Sequence, residues 1–179
     1  MKLPETIEVG ELVLRRWRPQ WAQEALTAIR ESLPQLAPFL PWAHDGYDLA
    51  AAQTYIERSS QSWDKGTEFN YAIFTVAGEL VGCIGVMTRM GPGVLEIGYW
   101  MRTSYAGRGH MTAAVTALSR VAHTQPAIER VVIRHDAANT ASAAVAAKAG
   151  FVEADRVTRE TEAPGETGTE VVREFTPTS

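Results

Sequence analysis

Cysteine is nearly absent from this 179-residue chain: there is one, Cys83. No intramolecular disulfide can form, and the apolar run 80–86 marks Cys83 as a small buried hydrophobe rather than a reactive thiol. Metal-ligating motifs are missing too. Neither Cys-x-x-Cys nor His-Glu-x-x-His occurs, and His44, His110, His123 and His135 are scattered without ligand spacing, so no metal is expected. No apolar run approaches the roughly 18–20 residues that span a bilayer. The opening Met1-Lys2-Leu3-Pro4-Glu5-Thr6 lacks the apolar centre of a signal peptide, so the expectation is a cytoplasmic protein with no membrane partner. Positive charge is not in surplus: 17 Lys and Arg against 21 Asp and Glu leave a net charge of −4. A nucleic-acid partner, which selects for a basic surface, is therefore not expected. The cluster Arg15, Arg16 and Arg18 reads as the solvated flank of an amphipathic strand.

What remains is an ordinary globular composition, 45% hydrophobic. With no fixed-period repeat and no low-complexity linker, the chain reads as one domain over 1–179 whose core needs no staple. Residues 11–17 predict a strand, and 21–32 a helix with Trp21, Ala25 and Ile29 on one face. Pro34, Pro38 and Pro41 then break the chain. The apolar segment 36–42 is too proline-rich for a regular element; it lines a pocket or an interface, or it is a packed cover. Asp48 can cap a second helix whose inner face is Ala52, Tyr55, Ile56, Ser59 and Trp63. Apolar runs at 70–76 and 79–89, joined at Ala77-Gly78, predict a hairpin. Gly91-Pro92-Gly93 is a turn before a fourth strand over 94–101. A helix over 110–123, a strand over 130–134, a helix over 139–149 ended by Gly150, and strands over 151–159 and 170–175 complete the order. Strands joined at Gly78 and Gly91 should pair antiparallel. The fourth and fifth, bridged by a helix, should be parallel with a right-handed crossover, a natural place for a ligand.

The segment Tyr105-Ala106-Gly107-Arg108-Gly109-His110-Met111-Thr112 joins that fourth strand to a helix. Glycines let backbone approach a ligand closely, and the first helical N–H groups have no partner within the helix. With the helix dipole they favour an anion such as a phosphate. The segment is neither a P-loop, since the Gly-Lys-Ser/Thr ending is missing, nor a dinucleotide fingerprint, since the third glycine is absent.

This loop resembles the phosphate loop Gln/Arg-x-x-Gly-x-Gly/Ala of the GNAT-type N-acetyltransferases, with Gly109 at the central glycine and with Ala106 and Met111 departing from the pattern. Glu96-Ile97-Gly98-Tyr99-Trp100-Met101 is similar to the strand before that loop. Asn139-Thr140-Ala141-Ser142, ending in Lys148-Ala149-Gly150-Phe151, is similar to a later family motif. Leu12-Val13-Leu14-Arg15 with Phe39-Leu40-Pro41-Trp42 resembles the RimJ/RimL-like branch, which acetylates ribosomal-protein N-termini. The resemblance implies an α/β (α+β mixed) fold: a mostly antiparallel seven-stranded sheet flanked by about four helices, with a splayed parallel pair holding the cofactor. It implies transfer of an acetyl group from acetyl-CoA directly to a primary amine, the α-amine of a peptide or protein N-terminus, by a monomer or homodimer with no metal. Backbone at Trp100 and Met101 would pair with the pantetheine arm. Ala106, Gly107, Arg108, Gly109, His110, Met111 and Thr112 would hold the pyrophosphate through backbone amides and the Thr112 hydroxyl. Asn139 would hold the pantetheine arm, and Ser142 would lie near the thioester sulfur, where many relatives use a tyrosine at the position of Ala146. Phe39, Trp42 and Tyr47 would wall the acceptor cleft. Acetylation of a small-molecule or antibiotic amine, use of another acyl-CoA, and a catalytically silent acyl-CoA-binding module remain open at this stage.

The residue types suit that chemistry. An α-amine has a pKa near 8, so about a tenth is neutral at pH 7. A thiol of pKa about 8.5 leaves easily, and serine suffices as a donor to it. Glu96 is the candidate base, acting through a water or with its pKa raised by burial. It can equally be a strand carboxylate facing solvent or paired with an arginine. Asn139 can be only a helix cap, and Ser142 only a helical serine.

Overall fold

The computed structural model describes residues 1–175; residues 176–179 of the expected domain lie outside the described residues. The chain forms β1 (Thr6–Val9), β2 (Leu12–Arg16), α1 (Ala22–Leu36), α2 (Leu49–Lys65), β3 (Glu68–Thr75), β4 (Leu80–Met87), β5 (Val94–Met101), α3 (His110–His123), β6 (Arg130–Asp136), α4 (Thr140–Lys148), β7 (Phe151–Thr158) and β8 (Thr169–Phe175). One eight-stranded sheet runs β1-β2-β3-β4-β5-β6-β8-β7. Every neighbouring pair is antiparallel except β5 and β6.

Two expectations are corrected. The sheet has eight strands, not seven, because Thr6–Val9 forms a short hairpin with β2 around Gly10, whose φ of 58° favours glycine. The first helix does not stop before Pro34. It runs to Leu36, so the proline sits in its last turn, where the missing N–H costs one ladder bond and little helix follows.

Local signals explain the other helices. The Asp48 carboxylate accepts the Ala51 N–H at 2.8 Å, and Gly66, at φ 71°, closes α2. The face Ala52, Ile56, Ser59 and Trp63 is buried, as the spacing predicts. Period-2 alternation then sorts the sheet into two faces. Tyr71, Ile73, Ile84, Leu95, Ile97 and Ile133 share one core with Ala114, Val115 and Leu118 of α3 and Ala146 of α4. Ala72, Phe74, Cys83 and Trp100 share the other with Leu26 and Ile29 of α1 and Ile56 of α2. Cys83 is buried beside the Tyr55 hydroxyl, and burial pushes its thiol pKa up to about 11, so it stays a protonated filler.

The feature that positions the site is the parallel pair. β5 and β6 are in register only over Val94↔Arg130, Leu95↔Val131 and Glu96↔Val132. Beyond that β5 stays with β4 and β6 with β8, so the two strands part into a wedge. The β5–α3–β6 crossover sets the start of α3 at the open end of that wedge.

Candidate active site

The wedge opens into a cavity of about 770 Å³ that reaches both faces of the sheet. On the α3 and α4 side it is lined by the loop before α3 and the first turn of α4. Gly107 and Gly109 have φ of 75° and 81°, and a Cβ at either would meet nothing within 4 Å. The glycines serve the backbone turn, and the space beside them is open to a ligand. The α3 ladder begins with Ala113 N–H donating to Gly109 O at 3.0 Å, which leaves the amides of His110, Met111 and Thr112 at the helix end. An anion with several oxygens fits this cradle. Ala106, Gly107, Gly109, His110, Met111 and Thr112 line the cavity; Arg108 does not, since its guanidinium lies over the Tyr105 ring at 5.2 Å. The Met111 side chain belongs to the core.

The strand edge is equally specific. Arg102 N–H donates to Val81 O at 2.8 Å, and the register runs Gly82↔Met101 and Cys83↔Trp100. Bonded pairs alternate along an antiparallel ladder, so Trp100 spends its backbone groups on Cys83. The backbone of Tyr99 and Met101 turns instead into the wedge. The backbone role expected of Trp100 is therefore corrected to Tyr99. Across the wedge, Asn139 Oδ1 accepts the Ser142 N–H at 3.1 Å, capping α4. The Ser142 hydroxyl lies 2.9 Å from the Tyr99 hydroxyl. Ala146 is fully buried and offers the site no polar group.

Glu96 and Trp100 alternate with Tyr99 and so project to the α1 and α2 face. There the cavity is walled by Leu36, Phe39, Leu40 and Pro41 and by residues of the β7–β8 loop. The two segments clasp: Gly165 N–H donates to Pro38 O at 2.8 Å, and a Cβ at Gly165 would lie 2.7 Å from Pro38. Trp42 and Tyr47 do not line the cavity. Trp42 stacks edge-on to Trp100 at 6.3 Å, and Tyr47 is buried behind it at 5.6 Å. Of Phe39, Trp42 and Tyr47, expected to wall an acceptor cleft, only Phe39 lines the cavity, together with Trp100, and the other two pack beside Trp100.

Glu96 is 3% exposed, and both of its carboxylate oxygens accept hydrogen bonds from arginine. Arg89 holds it with two bonds of 2.6 Å, and Arg134 adds a third at 3.1 Å. Burial alone would raise its pKa; the two guanidiniums outweigh burial and hold it below the usual carboxylate range. The rise that base catalysis asks for is not there. The pairing continues: Arg134 to Glu170 at 3.1 Å, Glu170 to Arg159 at 3.2 Å, and Arg159 to Glu166 at 2.5 Å. This chain of alternating charges ties β5, β6 and β8 to the clasped β7–β8 loop. Sequence reasoning missed Arg89, Arg134, Arg159, Glu166 and Glu170; its one available signal was the charge at Arg134 inside an apolar strand.

The acetyltransferase (GNAT) domain model matches residues 11–152 of the chain, most of its length. The chain belongs to the GNAT acetyltransferase family. Solved structures show the same fold. The microcin C7 self-immunity acetyltransferase MccE, in complex with acetyl-CoA and AMP, is 20% identical, with 96% of each chain covered and a TM-score of 0.87. RimL, the ribosomal L7/L12 alpha-N-protein acetyltransferase, in complex with coenzyme A, is 21% identical over 95% of this chain and 97% of its own, with a TM-score of 0.86. Mycobacterium smegmatis RimJ, in complex with CoA-disulfide, is 23% identical over 95% of this chain and 85% of its own, at 0.81. No curated protein sequence matches the chain. Among the described residues of this GNAT domain no helix is long and apolar enough to cross a membrane, and no group of three or more His, Cys, Asp or Glu is placed to hold a metal ion.

Proposed function

We propose that this GNAT domain moves the acetyl group of acetyl-CoA to the α-amine of a peptide or protein N-terminus. The observation that carries the reading is the wedge between β5 and β6, with an amide cradle on one face of the sheet and a roofed cavity on the other. Bound acetyl-CoA supplies an electrophilic thioester. The loop amides from Gly107 to Thr112 and the Thr112 hydroxyl hold its pyrophosphate. Tyr99 and Met101 pair with the pantetheine arm through backbone groups, and Asn139, whose Oδ1 is spent on the cap, offers its Nδ2 to the same arm. Ser142 lies near the sulfur. The acceptor enters from the opposite face, against Phe39 and Trp100, and its nitrogen meets the thioester carbon in the wedge. A C–N bond forms, the C–S bond breaks with its electron pair on sulfur, the nitrogen releases one proton to water, and the thiolate takes up one proton to leave as the CoA thiol.

The ion-paired state of Glu96 supports an α-amine acceptor. A site whose buried carboxylate is already engaged suits an amine that reaches it neutral. At pH 7 an α-amine is neutral about a hundredfold more often than a lysine side chain. Glu96 here frames the acceptor side by holding Arg134. The test is mass spectrometry on acetyl-CoA reactions with peptides bearing free N-termini, lysine peptides with blocked N-termini, and small amine antibiotics. Preferential acetylation of the free N-termini supports the reading. Preference for lysine or for one small amine reverses the acceptor, and CoA binding without turnover on any amine makes the domain a silent acyl-CoA-binding module.

A further inference from the structure

The backbone of Tyr99 faces the wedge, and its side chain carries a hydroxyl that the backbone pairing does not need. Tyr99 projects from β5 toward α4, its ring packed against the core of that face. Its hydroxyl lies 2.9 Å from Ser142 Oγ and 3.2 Å from Ser142 O, so Oγ is the nearer of two acceptors for the phenol's one hydrogen. A phenylalanine would fill the same space, so packing does not account for the oxygen. Nor does capping: the Ser142 amide is already satisfied by Asn139. The phenol is joined to one residue, the one at the thioester end of the wedge.

We propose that Tyr99 is a positioning residue for Ser142, donating its O–H to Ser142 Oγ so that the serine's own proton is aimed at the departing sulfur. A serine hydroxyl donates one hydrogen and accepts two. A serine hydroxyl with no other partner turns its hydrogen to a nearby backbone carbonyl, as Ser119 Oγ does to Val115 O at 2.7 Å in α3. With Tyr99 donating into Oγ, the serine proton is left for the sulfur, and hydrogen bonds in series strengthen one another. Burial pushes the Tyr99 pKa up to about 12, against the lowering effect of the Ser142 bond, so the phenol stays a donor throughout the working range. No proton leaves Tyr99; it shapes the donor and is not consumed. The charged and titratable neighbours are Arg173 on β8 and His135 on β6, which are joined by an Arg173 Nε bond to His135 Nε2 at 3.0 Å. Burial lowers the His135 pKa and so favours its neutral ring.

The inference rests on the acetyl-transfer reading, and the experiment separates the two. Calorimetry measures the affinity of CoA and of desulfo-CoA at pH 7 and pH 9 for the wild type, Tyr99→Phe, Ser142→Ala and the double variant. Desulfo-CoA makes every contact but the one to sulfur, so the ratio of the two affinities isolates the sulfur and cancels other titrations. The wild-type ratio is expected to rise in favour of CoA as the thiolate forms. Tyr99→Phe is expected to reduce that rise about 2- to 10-fold, the effect of one hydrogen bond. The double variant should match Ser142→Ala. Turnover should follow: kcat falls by a similar factor in Tyr99→Phe with KM for acetyl-CoA unchanged, and no further in the Ser142→Ala background. Additive effects of the two substitutions, or an unchanged ratio in a folded Tyr99→Phe protein, overturn the positioning role while acetyl transfer stands. A wild type that binds neither ligand overturns both.

Discussion

Replacing Glu96 by glutamine keeps the side chain's shape and removes its charge. Taking one partner out of a buried ion pair costs about 3–5 kcal/mol, because the other charge is stranded. Two features of this site reduce that. The Arg89 side chain is 55% exposed and can turn to water, and Arg134 keeps Glu170 at 3.1 Å. The expected loss is therefore about 2–3 kcal/mol, or a fall in Tm of about 5–10 °C for a domain of this size. The pH dependence has a definite sign. The Glu96 pKa is lowered in the folded state relative to an unfolded value near 4.3. Its contribution is then fully present above that value and is lost as pH falls through the lower folded-state pKa. Thermal or urea denaturation should show a constant gap between wild type and Glu96→Gln from pH 8 to pH 5.5, closing below pH 4. Because the carboxylate frames the site rather than taking a proton, turnover should fall by the same factor at pH 7 and pH 9. A stability gap that widens in acid, or a rate defect that vanishes at pH 9, where the amine needs no base, refutes the reasoning.

Three further outcomes follow from named contacts. Gly109→Val forces a β-branched residue to φ 81°, costing about 1–2 kcal/mol of stability, and fills the open space at the cradle, so CoA affinity by calorimetry should drop at least tenfold, roughly one lost charge-assisted bond; unchanged affinity in a folded variant removes the loop from the site. Asn139→Ala loses the α4 cap, worth about 1 kcal/mol, and weakens CoA binding, whereas Ser142→Ala lowers kcat with CoA affinity preserved; identical behaviour of the two abolishes the division of roles. Gly165→Ala drives a methyl group to 2.7 Å from Pro38, so the clasp must open, and the KM for the acceptor peptide should rise while acetyl-CoA affinity stays constant; a change in acetyl-CoA affinity alone shows that the clasp does not border the acceptor.

What the sequence disclosed and what it hid divide along the distance over which each feature is built. The bounds of α3 are those its periodicity predicts, because an apolar stripe and a left-handed Gly109 lie within a few residues of each other. The parallel β5–β6 pair was legible for the same reason: a helix between two strands leaves a crossover as the short solution. The strand Thr6–Val9 escaped notice because four residues with two apolar ones, at the sheet edge, carry little pattern. Pro34 misled because its cost depends on how much helix follows it, and only two residues do. The fate of Glu96 was unreadable in principle. Its pKa is the balance of burial against guanidiniums from a turn after β4 and from β6, and only the folded sheet brings Arg89 and Arg134 to the same carboxylate. Trp42 and Tyr47 follow Phe39 closely in sequence but do not line the cavity, where Trp100 from another strand stands.

The two sides of the wedge also differ in how they are made, and that bears on how this domain chooses its acceptor. Every group assigned to the cofactor lies in the stretch from β5 to the first turn of α4, one βαβ unit and the turn after it. Such a unit places a helix N-terminus beside a strand end by its handedness alone. The side proposed for the acceptor draws instead on the α1–α2 connection and the β7–β8 loop, far apart in the chain and joined by the Pro38–Gly165 contact and the chain of ion pairs from Arg89 to Glu166. Few backbone bonds of the sheet depend on either segment, so residues there can vary in side chain without disturbing the cradle. Substituting Phe39 by alanine should accordingly shift preference among acceptor peptides, read as a change in kcat/KM ratios between N-terminal residues, at constant CoA affinity. A Phe39→Ala protein with unaltered peptide preference and weakened CoA binding would place the acceptor on the other face of the sheet.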